Sequence, residues 1–127
     1  MEPRFTRHYS RAEARGLLPD IRAWLGKLRL LQPVLDQHER ALSRLLDQGR
    51  DVGGERVHVW LRTLLALRTV LREFASRELQ VKDLDRGLID FPALMGSKEV
   101  FLCWEEGEED VEYWHDLDSG YAGRSPL

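Results

Sequence analysis

The sequence predicts an α+β domain: a long antiparallel helical hairpin, preceded by a short N-terminal helix, packed on a small three- to four-stranded antiparallel sheet. Three observations carry this. Apolar residues recur every three or four positions as far as Ser76 and every two positions from Leu79 onward, which are the periods of helix and strand. The stretch "GRDVGG" interrupts the helical part at 49–54. The apolar band on the helices is wider than one partner helix covers, so a sheet, a second copy or both must meet it.

The first helix starts near Arg11, because Ser10 stands three residues before Glu13 at capping-box spacing. Pro19 lacks a backbone donor and disfavours helix in the residue before it, so the expected end lies near Leu18, with Pro19 in the first turn of a second helix. Ile21, Leu25, Leu28, Leu35, Leu42 and Leu46 carry that helix to Gln48, with a bend or local break at Pro33. Val57, Trp60, Leu64, Leu67, Leu71 and Phe74 define the next helix. The two long helices should fold back on each other, each about 40 Å long. Trp24, Leu30, Leu31 and Val34 on one and Leu61 and Leu65 on the other are the surplus apolar residues, expected at an interface.

"LQVKDL", "GLIDF", "KEVFLCW" and "DVEYWHDL" read as strands. A tight turn centred on Gly107 and Glu108 would pair Trp104 with Val111, Leu102 with Tyr113 and Val100 with His115 on one face, leaving Phe101, Cys103 and Trp114 on the other. Both faces are apolar, so both should be covered. The domain is single over 1–127, with a helical part at about 10–77, a β-meander at about 79–118 and a tail at 119–127.

With 127 residues, 43% of them hydrophobic and 32% charged, the chain supports one cored domain. It shows no apolar run of membrane-spanning length and no secretory signal, and one cysteine admits neither an intrachain disulfide nor a cysteine-based zinc framework. A cytoplasmic protein is expected. Residues 1–86 hold 17 Lys+Arg against 12 Asp+Glu, whereas residues 87–127 hold 2 against 10, so the halves should attract. The arginines are dispersed among acids along the helices rather than clustered with aromatics, which argues against nucleic acid as a partner.

Candidate chemistry gathers in the last third. His115, in "HDLD", could bind a transition metal or share a proton with a carboxylate such as Asp90, expected on a neighbouring strand. In "DLDSGYAGRSP", Arg124 offers a planar donor fork and Tyr121 a stacking face; with Lys82 and Arg86 they could hold a carboxylate or phosphate. Arg124 could equally pair inward with Asp116, Asp118 or Asp90. Cys103, between Leu102 and Trp104, reads as a buried core thiol with a raised pKa. The run Glu105, Glu106, Glu108, Glu109 and Asp110 lacks calcium-loop spacing and reads as a solvated hairpin tip.

"VKDLDRGLIDFPAL", "VFLCW", "YWHDLDSGYAGRSPL" and the opening "FTRHYSRAEARGLLPDI" resemble the signature segments of an uncharacterised bacterial family, domain of unknown function 2203. The resemblance implies one domain of that type and carries no activity, so the expectation rests on the residues. It is an interaction or scaffold protein, non-enzymatic and self-associating as a homodimer, with no nucleic acid or membrane partner and the cofactor left open. The alternative is a small-ligand or metal-binding protein, with enzymatic activity left open, its site around Asp90, His115, Asp118, Tyr121 and Arg124.

Overall fold

A computed structural model of the chain describes residues 2–127. Two α-helices precede a five-stranded antiparallel sheet. Helix α1 spans Arg11–Asp47 and α2 spans Gly54–Ala75. The strands are β1 (Gln80–Asp83), β2 (Leu88–Met95), β3 (Lys98–Glu105), β4 (Tyr113–Asp116) and β5 (Ser125–Pro126), in sheet order β1-β2-β3-β4-β5.

The helical part departs from expectation at Pro19. The Ser10–Glu13 capping box starts the helix at Arg11, but α1 then runs unbroken through both Pro19 and Pro33. The expected short first helix is therefore the first two turns of α1. An interior proline costs about 3 kcal/mol through a lost hydrogen bond and a ring clash. Leu18, Ile21, Leu25 and Leu28 are all buried on one face across Pro19, and each contributes about 1.5–3 kcal/mol. A break there would turn part of that face away from the sheet, so packing overrides the local preference. At 37 and 22 residues, the helices are about 55 and 33 Å long rather than equal.

The inner sheet face closes on the hairpin. Ile89, Phe91, Ala93, Val100, Leu102 and Trp104 join one core with the α1 residues above and with Leu67, Val70 and Phe74 of α2. Trp24 meets Phe74 edge to face at 5.3 Å, a favourable aromatic geometry. The N-terminal segment crosses the edge of β2, where the Tyr9 amide donates to the Pro92 carbonyl at 2.8 Å. A residue's amide nitrogen and carbonyl point to the same side of a strand, so the donor that Pro92 lacks is missing at this edge and not in the ladder to β3.

The fifth strand comes from the tail, which the sequence sets apart from a meander of three to four strands: Ser125 pairs with Trp114 and Pro126 with Tyr113. A short β-strand can form there because β4 would otherwise present an unpaired edge. The acidic run is also not a free tip. Asp110 meets Arg11 and Arg15, Glu106 meets Arg29, Glu105 meets Arg86 and Glu108 meets Arg124, so part of the attraction between the two halves ties the end of β3 and the β3–β4 loop to α1 and the β1–β2 turn, while Arg124 ties the loop to the tail. Among the described residues no helix is long and apolar enough to cross a membrane.

Two glycines test how tightly this loop is seated. Gly87 and Gly96 both lie at positive φ, +67° and +65°, but a Cβ on Gly87 would come within 2.6 Å of the Glu106 Cβ whereas one on Gly96 would meet open space. In urea denaturation Gly96→Ala should lose about 1–2 kcal/mol from the left-handed backbone alone. Gly87→Ala should lose about 1–3 kcal/mol more from the forced overlap. Equal losses would mean that the loop yields freely.

Candidate functional site

The β3–β4 register differs from the expected one by a single residue, and the site exists because of it. Leu102 pairs with Trp114, Phe101 with His115 and Cys103 with Tyr113. A one-residue shift moves every side chain to the opposite face. Trp114 therefore packs against the core on the helix side, while His115 joins Phe101 and Cys103 on the outer face. The extra residue is absorbed between the strands: Glu108 N bonds Glu105 O at 3.0 Å around Gly107, the Trp104 indole donates to the Glu108 carbonyl at 2.9 Å, and Val111 is buried.

Asp90 reaches the same face from β2, where it pairs with Cys103. It is thus not on a strand adjacent to His115, since β3 lies between them. The two side chains meet across β3 over Cys103, whose short side chain leaves the space. Asp90 and His115 are each 2% exposed and Cys103 is fully buried. One donor atom from each of the three lies within 4.8 Å of the others.

The hydrogen bonds define the protonation of this cluster. His115 Nδ1 lies 2.7 Å from the Asp116 carbonyl, which can only accept, so Nδ1 carries a proton. Nε2 then faces Asp90 Oδ2 at 3.0 Å. Two lone pairs would repel at that distance, so a proton sits between them and the pair is either acid with neutral imidazole or carboxylate with imidazolium. Burial raises the Asp90 pKa, opposed by the charge and hydrogen bond of His115. Burial, followed by the charge of Asp90, pushes the Cys103 thiol up to about 12. A hydrogen bond with the Cys103 thiol also lowers the carboxylate pKa, yet no donor meets Asp90 Oδ1 at hydrogen-bonding distance and angle, so this buried oxygen is without a partner. An orphaned acceptor of this kind costs about 1–3 kcal/mol.

A cavity of about 290 Å³ opens over Asp90 and His115, walled by Phe101 and Lys82 and roofed by Ser119 and Tyr121 of the tail. Of the other residues proposed from sequence, Asp118 lines the same cavity, but its side chain is 92% exposed and turned to Arg4 at 3.3 Å. Arg124 and Arg86 fasten the roof instead of pointing inward. Arg124 reaches both Glu108 oxygens at 2.9 Å and stacks 3.8 Å from the Tyr113 ring and 4.6 Å from that of Tyr121. Arg86 pairs with Glu105 at 2.8 Å and lies over Tyr121. Arg124 thus takes Glu108 in place of Asp116, Asp118 or Asp90. Cys103 is buried with a raised pKa, as its apolar neighbours predict; what sequence reasoning does not reveal is its place between Asp90 and His115, which becomes visible only with the register. The expected interface residues divide: Trp24 and Leu31 pack against the core, while Leu30, Val34, Leu61 and Leu65 are exposed.

The roof can be tested through Cys103. Arg124→Ala removes an ion pair in which one guanidinium nitrogen donates to both Glu108 oxygens, together with two stacking contacts, so labelling of Cys103 by a thiol reagent should accelerate by about tenfold or more, the factor that about 1.4 kcal/mol of lost local stability produces. An unchanged rate would place the protection in the sheet and not in the tail.

Nothing among curated proteins or solved structures matches the chain. A match over residues 7–127, essentially the whole chain, shows that it belongs to the family described as uncharacterized conserved protein DUF2203.

Proposed function

We propose that this protein binds a divalent transition metal ion through Asp90, Cys103 and His115. The observation that carries the reading is the buried Asp90 Oδ1 without a partner, beside a histidine whose Nδ1 is held by a backbone carbonyl so that Nε2 is presented to the cluster. A metal-bound imidazole is held in the same way, its second nitrogen donating to a carbonyl or carboxylate. The donor set of one oxygen, one sulfur and one imidazole nitrogen suits zinc or a neighbouring first-row ion and is unsuited to calcium or magnesium.

The exchange is balanced in charge. Without metal the cluster holds one proton between Asp90 and His115 and one on the Cys103 thiol; a divalent ion replaces both, leaving carboxylate, thiolate and neutral imidazole. The buried charge is unchanged, which removes the main obstacle to placing an ion there. Three protein donors leave a fourth position for a tetrahedral ion.

Calorimetry of tag-free, chelator-treated protein with zinc should give one ion per chain and, across buffers of different ionisation enthalpy, two protons released. Cobalt should give d–d bands together with a thiolate charge-transfer band. His115→Ala should abolish the bands, and Cys103→Ser should remove the charge-transfer band selectively. A cobalt spectrum indifferent to Cys103→Ser would remove the thiol from the site, and no stoichiometric binding by any of zinc, cobalt or iron would end the reading.

Self-association is a second reading. No residue between 36 and 66 is buried, and Leu30 and Leu65 are 73% and 50% exposed, more apolar surface than a solitary hairpin usually presents. Light scattering should report a homodimer that Leu30→Asp with Leu65→Asp converts to monomer; a monomeric parent at high concentration would exclude it.

A further inference from the structure

Resting on the metal site, we propose that the cavity above it binds a small oxyanion, a carboxylate or inorganic phosphate, with one oxygen on the metal and another on Lys82. Asp90 and His115 line the cavity whereas Cys103 does not, so the thiol closes the back of the cluster and the side left open for a fourth ligand is the cavity itself. Its volume of about 290 Å³ lies at the bottom of the range for small-molecule sites and holds only a ligand of few atoms.

The charges in the cavity select the sign. A divalent ion bound to carboxylate, thiolate and neutral imidazole makes a neutral cluster, so the lining contributes charge only through Lys82 and Asp118. Asp118 is directed outward to Arg4. Lys82 is in no salt bridge among the described residues; its ammonium lies 5.3 Å from the centroid of the Phe101 ring that walls the cavity. The pocket with its metal therefore carries one uncompensated positive charge close to a Lewis acid, and the complementary ligand is an anion with two oxygens to offer. Phe101, Leu88 and Leu117 form the remaining wall, which accommodates the carbon end of a short carboxylate. Lys82 acts here as a point charge on a flexible stem, which suits capture at a rim.

The test uses the full-length protein loaded with cobalt, titrated separately with acetate and with inorganic phosphate while the d–d bands are followed. Either anion, or both, should shift the bands saturably, and the arm that responds more tightly tells carboxylate from phosphate. Lys82→Ala should weaken the anion midpoint by about tenfold or more, the size of one lost charge-assisted contact, with cobalt affinity kept; Lys82→Arg should restore much of it. Lys82 is exposed, so neither variant threatens the fold. Bands unmoved by both anions, or a midpoint indifferent to Lys82→Ala, would overturn the oxyanion while leaving the metal in place. Failure to develop any cobalt spectrum would instead remove the metal site and this proposal together.

Discussion

The pairing of Phe101 with His115 is the constraint on which the rest of the structure depends. With side chains alternating along each strand, this one choice of register decides whether the imidazole faces the helices or the opposite side. Val100, Leu102 and Trp104 must face inward, because the apolar stripe of α1 has no other surface of that size to close on. With β3 so oriented, the partner register puts Trp114 beside Leu102 and sends His115 outward. Trp114 gains burial by this, while His115 gains a carboxylate. The register is thus set by hydrophobic burial on one face, and the polar cluster on the other face is its consequence.

A register that leaves an odd residue needs a loop to absorb it, and the β3–β4 loop is held from three sides. Arg29 of α1 reaches Glu106, Arg11 and Arg15 reach Asp110, and Arg124 of the tail grips Glu108. The pairs made by Arg11 and Arg15 are exposed on the arginine side and contribute little individually, about 0–1 kcal/mol each, whereas the Arg124–Glu108 pair is largely buried. Their geometry matters more here than their energy, since they converge from separate elements on one loop and leave few positions open to it. Gly87 adds a steric limit, its Cα lying where a side chain would strike Glu106. The excess of arginine in the first 86 residues and of acid in the last 41 is therefore a docking code within the chain.

What the sequence disclosed follows the range of the forces involved. The capping box at Ser10, the glycine loop and the change of period at Leu79 act over a few residues, and the helix start, the hairpin and the places of four strands follow those signals, except that β2 runs on past "GLIDF" through Pro92–Met95, where pairing with β3 overrides the proline and the turn it suggests. Continuity of α1 through Pro19 was hidden because the local preference is correct and loses to burial of leucines that only the sheet supplies. The strand register was hidden for a related reason: Gly107 marks a turn, but nothing in "EEGEED" reveals that Val111 folds inward and uses up a residue. That difference of one residue puts Cys103 and His115 on opposite faces in the sequence, while Leu102 and Trp104 correctly mark the thiol as buried without showing what lies beside it. The β5 strand was illegible because its partner edge comes into being only after β4 is placed.

The outer face of the sheet raises a final question of economy. Phe101, Leu88 and Pro92 on that face require cover, and apolar neighbours at positions 90, 103 and 115 would have supplied a cheaper interior than an acid, a thiol and an imidazole. The cover actually provided is polar in its fastenings. Phe5 lies against Phe101 at 5.4 Å, but the tail is held by the Arg124–Glu108 pair, the Tyr121 hydroxyl on Glu105 and a two-residue strand. Segments held by a few polar contacts open locally at much lower free energy than a packed core. A sheet that needed only shielding would be better served by a greasy lid. Under the metal-binding reading proposed above, a donor cluster beneath a cover held by a few polar contacts is what reversible entry of an ion and its ligand would require.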